Sequence, residues 1–184
     1  MNKYTTTSLR ILESAKYLFA QQGFDAVTTK AIASSAKVNE VTLFRNFGSK
    51  ENLYEKVIEY FLFKPQFLRL EQENFPTLDE ALIAFGSFLH SFFTENVNLI
   101  LMELRSPYHT NRRQRIGKFP KEVKQKLAAQ FQRFNNCGQD QAQLDATCFM
   151  TAIYGLCFNI YVLKTFTQAD IFNSCLQNIV SKFT

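Results

Sequence analysis

Between Asn39 and Lys50 the chain carries side chains whose types and spacing suit hydrogen bonding to a nucleic-acid duplex: Glu40, Val41, Thr42, Phe44, Arg45 and Asn46, then Gly48-Ser49-Lys50. At about 100° of rotation per helical residue, Leu43 and Phe47 fall on one side of a helix, Val41 and Arg45 nearly opposite, and Glu40 and Phe44 between. The inner pair belongs to a core. The outer set can meet base edges in a major groove, because Arg45 can donate two bonds to guanine, Glu40 can accept from the cytosine amino group and Val41 can touch a thymine methyl. Lys50 opens the following helix, where a cation opposes the macrodipole; an incoming phosphate would relieve that conflict, meeting free amides and the ammonium together. Thr29, in the first turn of the preceding helix, offers a hydroxyl to a phosphate on the other side of the groove.

These residues need several short helices to position them, and the apolar spacing predicts those helices. Leu9, Leu12, Ala15 and Phe19, widened by Ile11 and Leu18, mark a first helix with Ser8 as its N-cap and Gly23 as its stop. Thr28 caps a second helix carrying Ile32, Ala33 and Ala36; the turn Ala36-Lys37-Val38-Asn39 follows, and Asn39 caps the third. Ser49 caps a fourth through Leu53, Val57, Ile58 and Phe61, which Lys64-Pro65 ends or kinks. Two helices joined by a tight turn, with the second facing outward, is the layout of a helix-turn-helix.

Further along, Thr77-Leu78-Asp79-Glu80 reads as a capping box for a fifth helix with the stripe Leu78, Ala81, Leu82, Phe85, Leu89 and Phe92. Residues 97–105 read as a separate short helix stopped by Ser106-Pro107, and residues 108–118, with Arg112, Arg113 and Arg115, as a loop. Pro120 suits the first position of the next helix, marked by Val123, Leu127, Phe131 and Phe134. After Cys137-Gly138 comes a long helix over about 140–164, and Thr167 with Asp170 starts the last one, through Phe172, Leu176, Ile179 and Phe183.

The composition agrees with an all-α chain, since 46% hydrophobic residues can fill a core while six Gly and four Pro leave few turns to close a sheet. Charge is uneven: residues 1–50 hold seven bases against three acids, so they carry four of the five net positive charges. A basic head on a near-neutral body suits a polyanion touching one end, although a solvated basic face explains charge alone equally well. Cys137, Cys148, Cys157 and Cys175 have neither CxxC spacing nor a neighbouring His pair, which points to reduced thiols and away from a zinc site or disulfide framework. The first eight residues lack the apolar core of a signal peptide, so a cytoplasmic chain is expected. From Ala146 to Leu163 no residue is charged, which reaches the lower length of a membrane span; Thr147, Thr151, Asn159, Tyr154 and Tyr161 within it favour a helix covered by protein on nearly all sides, with no membrane partner.

An enzyme is disfavoured. Only His90 and His109 are available as imidazoles, and no GxSxG, HExxH, glycine-rich phosphate loop or paired-carboxylate motif occurs.

Across residues 9–53 the chain resembles the TetR family of bacterial transcriptional regulators, keeping Val38, Thr42, Leu43, Phe47 and Lys50 and departing from the family pattern at Lys37, Asn39, Val41, Phe44 and Asn46. The resemblance implies an all-α fold of about nine helices, with a DNA-binding head over 1–50 and a ligand-binding and dimerisation body over 51–184. It implies phosphate-contacting positions at Thr29, Phe44, Asn46 and Lys50 and base-facing ones at Asn39, Glu40, Val41 and Arg45, with Thr28, Lys37 and Thr42 completing the surface. Phe44 has no hydroxyl to donate, so packing against a sugar is expected there. The partners implied are double-stranded DNA with a palindromic operator, a second copy of the chain, and a small apolar or amphipathic effector, with no cofactor. The residues expected around the effector are Phe85, Phe88, Leu89, Phe92, Met102, Tyr108, Phe131, Phe149, Ile153 and Tyr154, with His90 and Asn159 as further polar candidates. Those expected at the dimer interface are Phe149, Leu156, Ile160, Leu163, Phe172, Leu176 and Ile179, with Gly155 allowing close helix approach. Repression relieved by ligand is the mode the resemblance implies; a helical protein-interaction module with a basic head and no specific DNA target is the alternative.

Overall fold

The computed structural model describes residues 4–62, 74–105, 118–166 and 171–184. They form eight α-helices: α1 (Thr6–Gln22), α2 (Thr29–Ser35), α3 (Glu40–Phe47), α4 (Lys50–Leu62), α5 (Leu78–Arg105), α6 (Lys118–Asn135), α7 (Gln139–Phe158) and α8 (Ile171–Val180). A π-helical turn, Asn159–Leu163, extends α7. The described residues fall into two compact units, one of 4–62 with 98–105 and the other of 74–97 with 118–166 and 171–184.

In the first unit α1 packs on α2, α3 and α4, and α3 packs on α2 and α4. Its core is the overlap of their apolar faces: Ile11, Leu12, Ala15 and Phe19 of α1, Ile32 and Ala33 of α2, Leu43 and Phe47 of α3, and Leu53, Tyr54, Val57 and Ile58 of α4. Tyr54 holds the centre, its ring edge-on to Phe19 at 5.4 Å and to Phe24 at 5.1 Å, the geometry favoured by the ring quadrupole. Caps at Thr28, Asn39 and Ser49 form as the sequence predicts, accepting from the amides of Ala31, Thr42 and Asn52. The first cap differs. Thr5, not Ser8, caps α1, and Ser8 lies one turn inside on the buried face with Ile11, Leu12 and Ala15.

The second unit is built on α6 and α8 packed against α7. Phe131 and Phe149 both meet the ring of Phe183 at 5.7 Å. Gly86 of α5 lies so close to α8 that a Cβ there would press on Leu176 Cδ1, so any larger residue would force the Leu176 side chain to shift. Residues 97–105, expected as a separate helix, instead continue α5 without a break, because no Pro or Gly interrupts the apolar pattern between Leu89 and Met102. Pro120 stands third in α6 rather than first, a position that still lies among the amides without intrahelical acceptors. The expected ends at Lys64-Pro65, Ser106-Pro107 and Thr167 to Asp170, and the loop expected over 108–118 up to Gly117, lie outside the described residues.

The segment Gln139–Leu163 is long and apolar enough to cross a membrane by length and composition, yet only 33% of its most apolar window is buried within the chain. The chain covers one face, through Ala142, Ala146, Phe149, Met150, Ile153, Leu156 and Cys157. The expectation of cover on nearly all sides is therefore not met within one copy, since Leu144, Cys148, Thr151, Gly155 and Phe158 face outward.

Candidate nucleic-acid interface

The head presents α3 with a clear division of faces. Leu43 is fully buried and Phe47 nearly so, while Val41 is 74% and Phe44 44% exposed, and Arg45 and Asn46 are exposed beside them. An exposed Val and Phe on a short helix is the surface expected to meet bases or sugars rather than water.

The turn before α3 is fixed by backbone geometry. The amides of Lys37 and Val38 donate to Ser34 and Ala33 carbonyls at 3.0 Å each, closing α2 in a Schellman arrangement. Lys37 takes a left-handed conformation at φ 55°, where glycine is the usual residue, so its exposed ammonium is kept at a position with a backbone cost. At the start of α3 the Asn39 carboxamide oxygen accepts from both the amide and the hydroxyl of Thr42 at 2.7 Å. Asn39 and Thr42 thus hold one another in the cap.

Three residues expected at phosphates are engaged within the protein. The Thr29 hydroxyl donates to the Glu40 carboxylate, joining α2 to α3. Asn46 donates from Nδ2 to the Thr42 carbonyl at 2.7 Å, and its Oδ1 accepts from the Ser8 hydroxyl at 2.8 Å. Lys50 lies 4.4 Å from the Phe24 ring centroid and donates to the Asp25 carbonyl at 3.4 Å, so its ammonium is prepositioned over an aromatic face. The electrostatic conflict expected at Lys50 is also smaller than the sequence suggests. Glu51 shares the first turn of α4, and hydrogen bonds from its own backbone amide and from Ser49 hold its carboxyl below the ordinary range.

Sequence reasoning missed the Ser8–Asn46 tie and the role of Glu51. A signal for the first exists: Ser8 lies one turn before Ile11 and Leu12 on the buried stripe of α1, and a polar group there requires a partner.

The residues expected around an effector are mostly packed core. Phe85, Leu89, Phe92, Phe131, Phe149 and Ile153 are buried, Phe88 and Tyr154 are half-buried, and Tyr108 lies outside the described residues. Burial pushes the Tyr154 phenol well above its ordinary value, so it stays protonated. Met102 lines a cleft of 340 Å³ in the first unit with Phe19, Phe24, Gln21, Asn98 and Leu101. Among the polar candidates, Asn159 donates to the Gly155 carbonyl at 2.9 Å and accepts from Thr165, holding the π turn. His90 shares a 2.6 Å hydrogen bond with Tyr161 of that turn and stacks on Phe172 at 3.8 Å, and burial lowers its pKa. Of the residues expected at a dimer interface, Phe149, Leu156, Phe172 and Leu176 are buried inside the chain, Ile160 and Ile179 are half-buried, and Leu163 is 55% exposed.

A capped three-helix scaffold that turns a short helix with Val41, Phe44 and Arg45 outward has the layout of a helix-turn-helix. Residues 11–57 match the family described as bacterial regulatory proteins, tetR family. The chain is 28% identical over 153 residues to the uncharacterised HTH-type transcriptional regulator YvkB of Bacillus subtilis, covering 81% of this chain and 80% of that protein. Its fold matches a TerR/AcrR-family transcriptional regulator from Aquifex aeolicus, with TM-score 0.74, 19% identity and 97% and 99% of the two chains covered. It also matches the transcriptional regulator FadR of Bacillus subtilis in complex with stearoyl-CoA, with TM-score 0.67, 20% identity and 94% and 97% covered. Residues 11–57 thus resemble the tetR family of bacterial regulatory proteins, and the Bacillus subtilis and Aquifex aeolicus proteins that the chain matches are named as transcriptional regulators.

Proposed function

We propose that the chain is a repressor that binds a palindromic operator as a homodimer and is released when a small, mainly apolar ligand enters its helical body. In this reading DNA binding belongs to residues 1–50, and ligand binding and dimerisation to residues 51–184, in a cytoplasmic protein without catalytic activity. The observation that carries it is α3, with Leu43 and Phe47 locked inward and Val41, Phe44 and Arg45 turned out. Asn39, Glu40, Val41 and Arg45 face bases, while Thr28, Lys37, Thr42, Phe44 and Lys50 line the flanking backbone.

The effector site lies among the aromatic residues of α5, α6 and α7. Those side chains are packed in the free chain, so a ligand must part them, and that displacement is the source of any change at the head. A long-chain acyl group is one ligand class this fold holds, as in the stearoyl-CoA complex of FadR.

Selection of bound sequences from a random duplex pool tests the reading. The expected product is an inverted repeat whose affinity falls steeply with salt, and addition of acyl-CoA should weaken the complex. Salt-independent binding with no enriched sequence would favour a protein-interaction module instead.

A further inference from the structure

Thr29 and Glu40 are 11 residues apart in different helices, yet the Thr29 hydroxyl donates to Oε1 of Glu40. Glu40 is the first residue of α3 and is half-buried against the head. Oε1 is thereby fixed, and Oε2 remains as an acceptor. A carboxylate has no donor, so at a base edge it accepts best from the amino group of cytosine; adenine N6 also donates but sits beside the acceptor N7, and thymine O4 and guanine O6 and N7 repel it. It also opposes the phosphates, lowering affinity for DNA in general while penalising wrong bases, which is how discrimination by repulsion works. A glutamate without an anchor can swing away from a wrong base; one tied to Thr29 cannot do so without breaking that bond.

We propose that Thr29 is a positioning residue that holds Glu40 in place to select a cytosine at one position of each half-site. This rests on the DNA-reading function proposed above, and it gives Thr29 a role distinct from a phosphate contact, since its one hydroxyl proton is directed to Glu40.

The test is sequence selection and competitive binding with the wild type, T29V, T29S, E40Q and the double variant T29V/E40Q, with thermal unfolding measured for each. The wild type should enrich cytosine at one position per half-site. E40Q should lose that preference by about tenfold, the discrimination expected of one base contact, and bind random duplex more tightly, because the charge that opposes the phosphates is gone. T29V should relax the same position and no other, T29S should restore it, and T29V should add nothing in the E40Q background. If T29V proves unstable, E40Q and T29S still decide whether a cytosine preference depends on the carboxylate and survives with a hydroxyl at residue 29. Uniform weakening by T29V across all sequences, in both backgrounds, makes Thr29 a phosphate contact and overturns the inference. So does an enriched palindrome with no position sensitive to E40Q, a result that leaves the regulator reading intact. A wild type that enriches no sequence overturns both.

Discussion

The Asn46 side chain uses both ends of its amide inside the head, toward the Thr42 carbonyl and the Ser8 hydroxyl, and Ser8 in turn meets Thr5 at 2.9 Å. This chain of hydrogen bonds ties the last turn of α3 to the first turn of α1, so it fixes the angle at which α3 leaves the body of the head. Ser8 is 6% exposed and has little access to water, whereas Asn46 is exposed. Removing either group should cost about 1 kcal/mol, and S8A/N46A should cost less than the two single variants together. Denaturant unfolding of the four proteins measures this, and strictly additive losses would show that the contact contributes nothing. At this scale the sequence was legible where a residue's burial or exposure follows from helical phase, as for Leu43, Phe47, Val41 and Arg45. It was not legible where a polar side chain had a choice of partners, as for Thr29, Asn46 and Lys50, because a contact between helices depends on their crossing and not on spacing along one of them.

Among the elements, the turn joining α2 to α3 stores the clearest tension. Lys37 holds φ at 55°, a conformation that costs a residue with a Cβ about 1 kcal/mol. Its side chain is exposed at the turn before α3, where in the proposed reading it neutralises one phosphate. K37G should therefore raise the stability of the protein by up to about 1 kcal/mol, offset in part by backbone entropy, while reducing the slope of log affinity against log salt by about 1. Thermal unfolding and salt titration on one duplex check the two halves separately; a glycine that stabilises without changing the slope would remove Lys37 from the interface. The caps at Thr28, Asn39, Ser49 and Thr77 were readable because a cap is a local hydrogen bond between residues two or three apart. The unbroken length of α5 and the π turn after α7 were not. The first depends on the absence of a breaker rather than on a signal, and the second is held by His90 and Tyr161 across 71 residues of sequence.

For the whole molecule, the outer face of α7 poses the question of what covers it. Leu144, Cys148, Thr151, Gly155 and Phe158 recur at alternating steps of four and three, the spacing of a helix that packs along another. Leu144 is 60% and Phe158 37% exposed, and nothing lies within 4 Å of the place a Cβ would take on Gly155. Uncovered apolar side chains flanking an open glycine suit a second copy of the helix related by a two-fold axis, so that each residue of the stripe meets its own counterpart or a neighbour of it. L144E should then separate the copies without touching the core of either. The variant should unfold as the wild type does at low protein concentration, run as a monomer where the wild type runs as a dimer, and lose affinity for a palindrome while keeping that for a half-site. Cys148 supplies an independent readout, because it is exposed in the single chain and would be shielded in the pair. Its reaction with a thiol reagent should slow as wild-type concentration rises and stay constant in L144E, whereas Cys157, buried with its thiol pushed up to about 12, should react slowly in both. A wild-type Cys148 that reacts at one rate across concentrations, in a protein that sediments as a monomer, would leave α7 to another partner.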